Sequence, residues 1–300
     1  MKLFNRLIVK MIPLLPQAIV WIFSRRYVAG TTWESGVNKS RRLNEIKVRA
    51  TMDMLGEEIF TLSEAVSATE ACMHVLEVQK SEKLDASLSI KLTGLGLRID
   101  KEACYQNVRQ IVAKAKTLNN FVRIDMEDAS TTDDTLEIYR RIRSEFDNCG
   151  AVIQACLKRS ETDVRQLIDA GIADLRICKG IYLEPAEIAY QDREEVRKNF
   201  IRLIGMMLGS HSYIGIATHD AHVVDRAIGL IDELRCSHEN YEFQMLLGVT
   251  EKMRDDLVQQ GHPMRVYVPF GEQWYAYSMR RLKENPQIAG HIIKNIFTRG

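Results

Sequence analysis

Eight short strand-like runs, most of them enriched in valine, isoleucine and aromatic residues, recur along this 300-residue chain, with longer stretches carrying charged residues at helical spacing between them. The runs are RATMDML (49–55), SLSIKL (87–92), FVRIDM (121–126), AVIQACL (151–157), DLRICKG (174–180), IGIATH (214–219), YEFQML (241–246) and MRVYVPF (264–270). Such residues suit extended, packed strands. Between them, EACYQNVRQIVAKAKTL (102–118) repeats its apolar positions every three or four residues, as an amphipathic helix does. DDTLEIYRRIRSEF (133–146) opens on aspartates and carries its arginines late, the order a helix dipole prefers. Strands alternating with helices imply parallel neighbours, because a parallel pair needs a crossover connection. Eight units can close an α/β barrel of the (β/α)8 TIM type. The rival is an open doubly wound sheet. Against it, no GxGxxG follows the first run, and LTGLGLR (92–98) has the wrong spacing.

Residues 1–45 fall outside the repeat and read as an N-terminal helical arm, with the barrel over 46–300. In the arm, Lys2, Arg6 and Lys10 precede an apolar run from Met11 to Phe23 that Pro13 and Pro16 interrupt. A membrane-spanning helix needs roughly 20 apolar residues, so the run is too short. It suits an amphipathic arm packed on the protein; the rival is a segment lying on a membrane surface. An apolar fraction of 46% is enough for a sizeable core, and a net charge of +1 gives no overall field for nucleic acid. Cys72, Cys104, Cys149, Cys156, Cys178 and Cys236 include no CxxC pair and read as structural thiols in a reducing compartment.

In a (β/α)8 barrel the site lies at the C-terminal ends of the strands. Polar residues recur there: Lys91, Asp125, Gln154, Arg176 with Lys179, Thr218 with His219, Glu242 with Gln244, and Tyr267. Burying them without partners would be costly, so their recurrence points to a convergent ligand site. In EQWYAYSMRRLKENP (272–286), Tyr277, Arg280, Arg281 and Glu284 share neighbouring helix faces. The bland reading is an exposed helix with an Arg280–Glu284 pair. The functional one is two guanidinium forks presented to a carboxylate at the barrel mouth. The spacing of His219 and His222 lacks a third ligand motif, which argues against a metal. On the residues alone three readings stand: a redox enzyme, a Schiff-base aldolase using Lys91 or Lys179, and a non-catalytic barrel binding a small carboxylate.

A longer pattern separates them. LGEE (55–58), KLTGLG (91–96), RIDMEDA (123–129), QACLKR (154–159), RICKGIYLEP (176–185), ATHDAH (217–222), YEFQMLLG (241–248), RVYVPFG (265–271) and WYAYSMRRLKENP (274–286) together resemble the proline dehydrogenase family, in its order, over nearly all of 50–286. The resemblance implies a distorted barrel holding non-covalent FAD and oxidising L-proline to Δ1-pyrroline-5-carboxylate. Arg280, Arg281 and Lys91 would bind the proline carboxylate, and Tyr182, Leu246, Tyr267 and Tyr277 would enclose its ring. Arg176 would sit beside the flavin's reacting nitrogen, and Asp125 matches an active-site aspartate. Met126, Gln154, Lys179, Gly180, Ile181, Thr218 and His219 would contact FAD. Glu57 would pair with Arg280 as a gate. Ile181 stands where the family often has alanine, and Asp220 where it has asparagine. Relatives acting on hydroxyproline tend to carry a smaller residue at the Tyr267 position, which favours proline. A membrane quinone would reoxidise the flavin, and a separate pyrroline-5-carboxylate dehydrogenase would act next. The protein would be cytoplasmic, at most peripheral to the inner face of the membrane. A cationic neighbourhood of Lys91, Arg280 and Arg281 should lower the substrate amine's pKa, with Asp125 orienting the cations rather than taking a proton.

Overall fold

The computed structural model describes residues 17–56 and 59–284, with the backbone alone at Ala18, Ile19, Phe23 and residues 280–284. The chain runs α1 (Gln17–Ser24), α2 (Trp33–Glu45), β1 (Arg49–Met54), α3 (Leu62–Ser81), β2 (Ala86–Lys91), α4 (Lys101–Thr117), β3 (Val122–Asp125), α5 (Thr132–Arg143), β4 (Cys149–Gln154) and α6 (Ser160–Asp169). It continues with β5 (Asp174–Cys178), α7 (Arg193–Gly209), β6 (Tyr213–Ala217), α8 (Ala221–Glu233), β7 (Tyr241–Leu246), α9 (Glu251–Gln259), β8 (Met264–Phe270) and α10 (Trp274–Glu284). The strands pair in sequence order, all parallel, and β8 returns to β1 in register from Arg49↔Arg265 to Met54↔Phe270, closing the barrel.

Local chemistry starts the helices where the strands end. Thr61 and Glu64 form a reciprocal capping box on α3. Asp100, Asp192 and Asp220 accept backbone N–H groups at the starts of α4, α7 and α8. The last helix departs from the regular plan. α10 packs chiefly on α1, where the Trp21 and Trp274 rings meet edge to face at 4.6 Å. The outer faces of β1 and β8 are covered instead by α2, whose Val37 and Leu43 join the core.

Each strand alternates an apolar face against the helices with a face toward the barrel axis. The outward set includes Met52, Leu88, Ile90, Ile124, Ile153, Leu175, Ile216, Phe243 and Val268, all buried. Toward the axis the usual layers of branched apolar side chains are replaced by charged groups. In the lower half Arg123 donates to Asp174 Oδ1 at 2.7 Å and to the Asp174 carbonyl at 2.8 Å. Arg265 donates to Glu242 Oε1 at 2.5 Å and to the Ala50 carbonyl at 2.7 Å. These pairs border a cavity of ≈ 220 Å³. Cys72, Cys104 and Cys149 are buried free thiols, and burial pushes each up to about 12.

Candidate active site

Four of the expected site residues meet at the C-terminal mouth: Lys91 at the end of β2, Asp125 at the end of β3, Arg176 in β5 and Tyr267 in β8. Asp125 is the hub. Its Oδ1 accepts from Arg176 Nη1 and from Ser89 Oγ, both at 2.7 Å. Its Oδ2 accepts from Tyr267 Oη at 2.8 Å and lies 3.7 Å from Lys91 Nζ. Lys91 donates to Asp53 Oδ1 at 2.7 Å and to Tyr267 Oη at 3.3 Å. Arg176 is held on its other side, where Nε donates to Gln244 Oε1 at 2.5 Å.

The electrostatics follow from these contacts. Burial alone would push the Asp125 carboxyl up; Arg176, Lys91 and the Ser89 and Tyr267 hydroxyls outweigh it and hold the group below the usual carboxylate range. Burial would lower Lys91, but Asp53 and Asp125 more than offset it and raise the ammonium above its ordinary value. Tyr267 is raised well above the usual phenol value by burial, then by Asp125 and Asp53. A protonated Lys91 between two carboxylates is the opposite of what a Schiff-base nucleophile needs. At this residue two carboxylates, Asp53 and Asp125, face Lys91 and Arg176, so the Asp125 charge opposes the local cations and Asp53 adds to it.

The other expected residues sit around this cluster. Gln154 ends β4 and donates its amide to the Met126 and Glu127 carbonyls at 3.3 and 2.9 Å. His219 Nε2 accepts from the Leu246 backbone N–H at 3.1 Å, so the proton sits on Nδ1, 2.8 Å from Thr250 Oγ1. Thr218 Oγ1 accepts from the Asp220 N–H at 3.1 Å, shaping the turn into α8. Tyr277 is buried with Val28, Leu55 and Trp274 under α1. Lys179 and Ile181 are exposed and Tyr182 half-buried on the loop after β5. Glu57 and the Arg280 and Arg281 side chains lie outside what is described. Asp220 departs from the family's asparagine, and its carboxylate is taken up by Arg197 at 2.7 and 3.0 Å and by Arg193 at 3.2 Å.

Sequence reasoning missed Asp53 and Ser89. Strand alternation could have found both, since Asp53 follows the inward Thr51 by two residues and Ser89 precedes Lys91 by two. Glu127 also follows Asp125 closely, but it accepts from the Thr93 backbone N–H at 2.9 Å and from its hydroxyl at 2.6 Å, pinning the β2–α4 loop.

A closed parallel barrel with a compensated acid–base cluster at the C-terminal mouth defines a (β/α)8-barrel enzyme. The sequence profile of the proline dehydrogenase family matches residues 37–293, and the chain belongs to that family. Proline dehydrogenase 1 of Bacillus subtilis subsp. natto is 39% identical over 273 residues, covering 91% of this chain and 90% of that protein. Proline dehydrogenase of Deinococcus radiodurans is 33% identical over 282 residues, covering 92% and 91%. Proline utilization A from Bdellovibrio bacteriovorus, solved after inactivation by N-propargylglycine, superposes with a TM-score of 0.83 at 24% identity. The match covers 88% of this chain and 32% of that one, and speaks for the fold. Family membership implies a flavin cofactor and removes the aldolase reading.

Proposed function

We propose that this chain oxidises L-proline to Δ1-pyrroline-5-carboxylate, with non-covalent FAD as hydride acceptor and a membrane quinone as the oxidant of the reduced flavin. The observation that carries the reading is the Asp125–Arg176–Lys91–Tyr267 constellation at the mouth of a proline dehydrogenase barrel. Two features fit a flavin at this mouth. Gln154 Oε1 is buried and has no partner among the described residues, leaving an acceptor for a ring N–H. Gly180, just after the end of β5, adopts φ +94°, and a Cβ there would lie 2.2 Å from Cys156 Sγ, so this turn at the mouth requires glycine.

FAD supplies the two-electron acceptor that no side chain provides. Met126, Gln154, Arg176, Lys179, Gly180, Ile181, Thr218 and His219 would hold it. Arg176 would supply positive charge beside the bound flavin, the electrostatic role its buried guanidinium suits. Lys91, Arg280 and Arg281 would take the substrate carboxylate; Tyr182, Leu246, Tyr267 and Tyr277 would close around the ring; Glu57 would gate the entrance through Arg280. Asp125 is committed to orienting Arg176 and Tyr267, so the substrate's amine proton leaves by another route. The pyrroline product would pass to a separate pyrroline-5-carboxylate dehydrogenase. No described helix is long and apolar enough to cross a membrane, and electron delivery to a quinone would place the protein peripherally on the inner, cytoplasmic face.

Purified protein should be yellow, and anaerobic L-proline should bleach its flavin absorbance; a yellow protein unmoved by proline would refute the substrate. Arg281→Met should raise KM for proline about 10- to 100-fold, the loss of a charged hydrogen-bond pair worth about 1.5–3 kcal/mol, while FAD stays bound. The pH profile of kcat/KM should rise with pH through a single ionisation belonging to the substrate amine. Tyr267→Phe should keep that limb, because the phenol is raised far from neutrality and Asp125 is held low. Loss of the limb in Tyr267→Phe would assign it to the protein instead.

A further inference from the structure

Glu242 and Gln244 point into the barrel from β7, below the Asp125 cluster, and no role above uses Glu242. We propose that Gln244, its amide set by Glu242, is a positioning residue that fixes the plane and direction of the Arg176 guanidinium. The inference rests on the reading of Arg176 as a neighbour of the flavin.

The polarity of one amide carries the argument. Gln244 Oε1 accepts from Arg176 Nε at 2.5 Å, and Gln244 Nε2 donates to Glu242 Oε1 at 2.7 Å. A flipped amide would set its NH2 against the guanidinium and its oxygen against the carboxylate, losing two charge-assisted bonds together. The negative charge of Glu242 therefore decides which end of Gln244 meets Arg176. A guanidinium tied at both Nε and Nη1 has its plane defined; tied only to Asp125 it can turn about that one contact. Glu242 is itself 1% exposed and anchored by Arg265 at 2.5 Å, with Arg49 at 3.5 Å. Burial would raise its carboxyl, but Arg265 keeps it low and ionised.

The surroundings show why a strut is needed. The cavity of ≈ 220 Å³ is bordered by Arg176, Gln244 and Glu242, so the guanidinium has room to fall away from the mouth. The wall is also cut back for the amide: Gly215, in register with Glu242, could carry no Cβ, which would lie 2.4 Å from Gln244 Nε2. A glutamine serving only to satisfy the barrel interior would affect stability and leave the flavin alone.

The test is Gln244→Met in the FAD-loaded protein, which keeps volume, cuts both links and leaves Glu242 on its arginines. Gln244→Asn, one methylene too short to span both partners, carries the same expectation if the first variant does not fold. The flavin reduction equilibrium should fall about tenfold, a shift of about 30 mV to more negative potential for a two-electron couple. The kcat for proline should fall about tenfold, with KM changed less than twofold. A lower thermal midpoint with unmoved potential and kcat would overturn the inference. Arg176→Met sets the scale. If it shifts the potential and the Gln244 variants do not, the inference fails while the flavin reading stands. If the protein binds no flavin, or Arg176→Met leaves the potential unmoved, the underlying reading fails.

Discussion

Asp125→Asn is expected to lower kcat/KM for proline by about 100- to 1,000-fold, the scale seen when one preorganised electrostatic partner is removed from an active site. The substitution keeps the shape and removes the charge. Oδ1 serves Arg176 and Ser89, while Oδ2 serves Tyr267 and faces Lys91. An amide must turn its NH2 toward one of these sets, so a donor meets a donor whichever way it points. Lys91 retains Asp53, and the local balance moves from two carboxylates against two cations to one against two. Single-turnover flavin reduction by proline measures the loss; a rate within threefold of the parent would show that Asp125 does not hold the cluster. The same variant has a pH signature. The folded-state pKa of Asp125 is depressed, so its contribution to stability is present above the unfolded carboxylate value, about 3.9, and is lost as pH falls through the lower folded value. Acid unfolding of Asp125→Asn should therefore depend less on pH below about 4.

Arg123→Leu is expected to lose about 3–5 kcal/mol of stability by stranding a carboxylate inside the barrel. Arg123 is 4% exposed, stacks on the Phe121 ring at 4.9 Å and serves Asp174 through both its carboxylate and its carbonyl. That loss is a large share of a typical folding free energy of about 5–15 kcal/mol. Urea unfolding should show it as a lower midpoint at unchanged slope. The double variant Arg123→Leu/Asp174→Leu should recover most of it, because replacing both members of a buried pair by apolar groups is often close to neutral. If the double variant were no more stable than the single one, the cost would lie in the carbonyls rather than in the ion pair.

Most strands were legible because β-branched or aromatic residues mark them, and most boundaries fall within a few residues of expectation. The overruns have local causes. The fifth run includes Lys179 and Gly180, but the positive φ at Gly180 ends pairing at Cys178. The fourth run extends to Leu157, but the chain turns after Gln154, whose carbonyl accepts from Leu157 N–H and Ser160 Oγ. Lys91, Asp125, Arg176 and Tyr267 could be named because they stand at strand ends and match a family pattern. Asp53 could not be given its partner in the same way. Its contact with Lys91 depends on β1 lying beside β2 in a particular register, which only the folded sheet sets. The ion-paired lower half stayed hidden for a related reason. Arg123 and Asp174 stand two residues before Asp125 and Arg176 and so share their inward face, but that the two pair with each other follows only from the closed barrel.

The seating of α2 on β1 and β8 bears on the order in which a nascent chain can consolidate. Residues 33–45 leave the ribosome early, yet half of the surface they cover is made more than 200 residues later, at 264–270. The N–H of Ala29 and the carbonyl of Gly30 likewise wait for Pro269 and Gly271. Contacts of such long range are slow to form, and until they do the apolar side of the first helices stays open. Synthesis stalled before β8 should therefore leave the N-terminal helices within reach of proteases and chaperones, and release through residue 270 should protect them in one step.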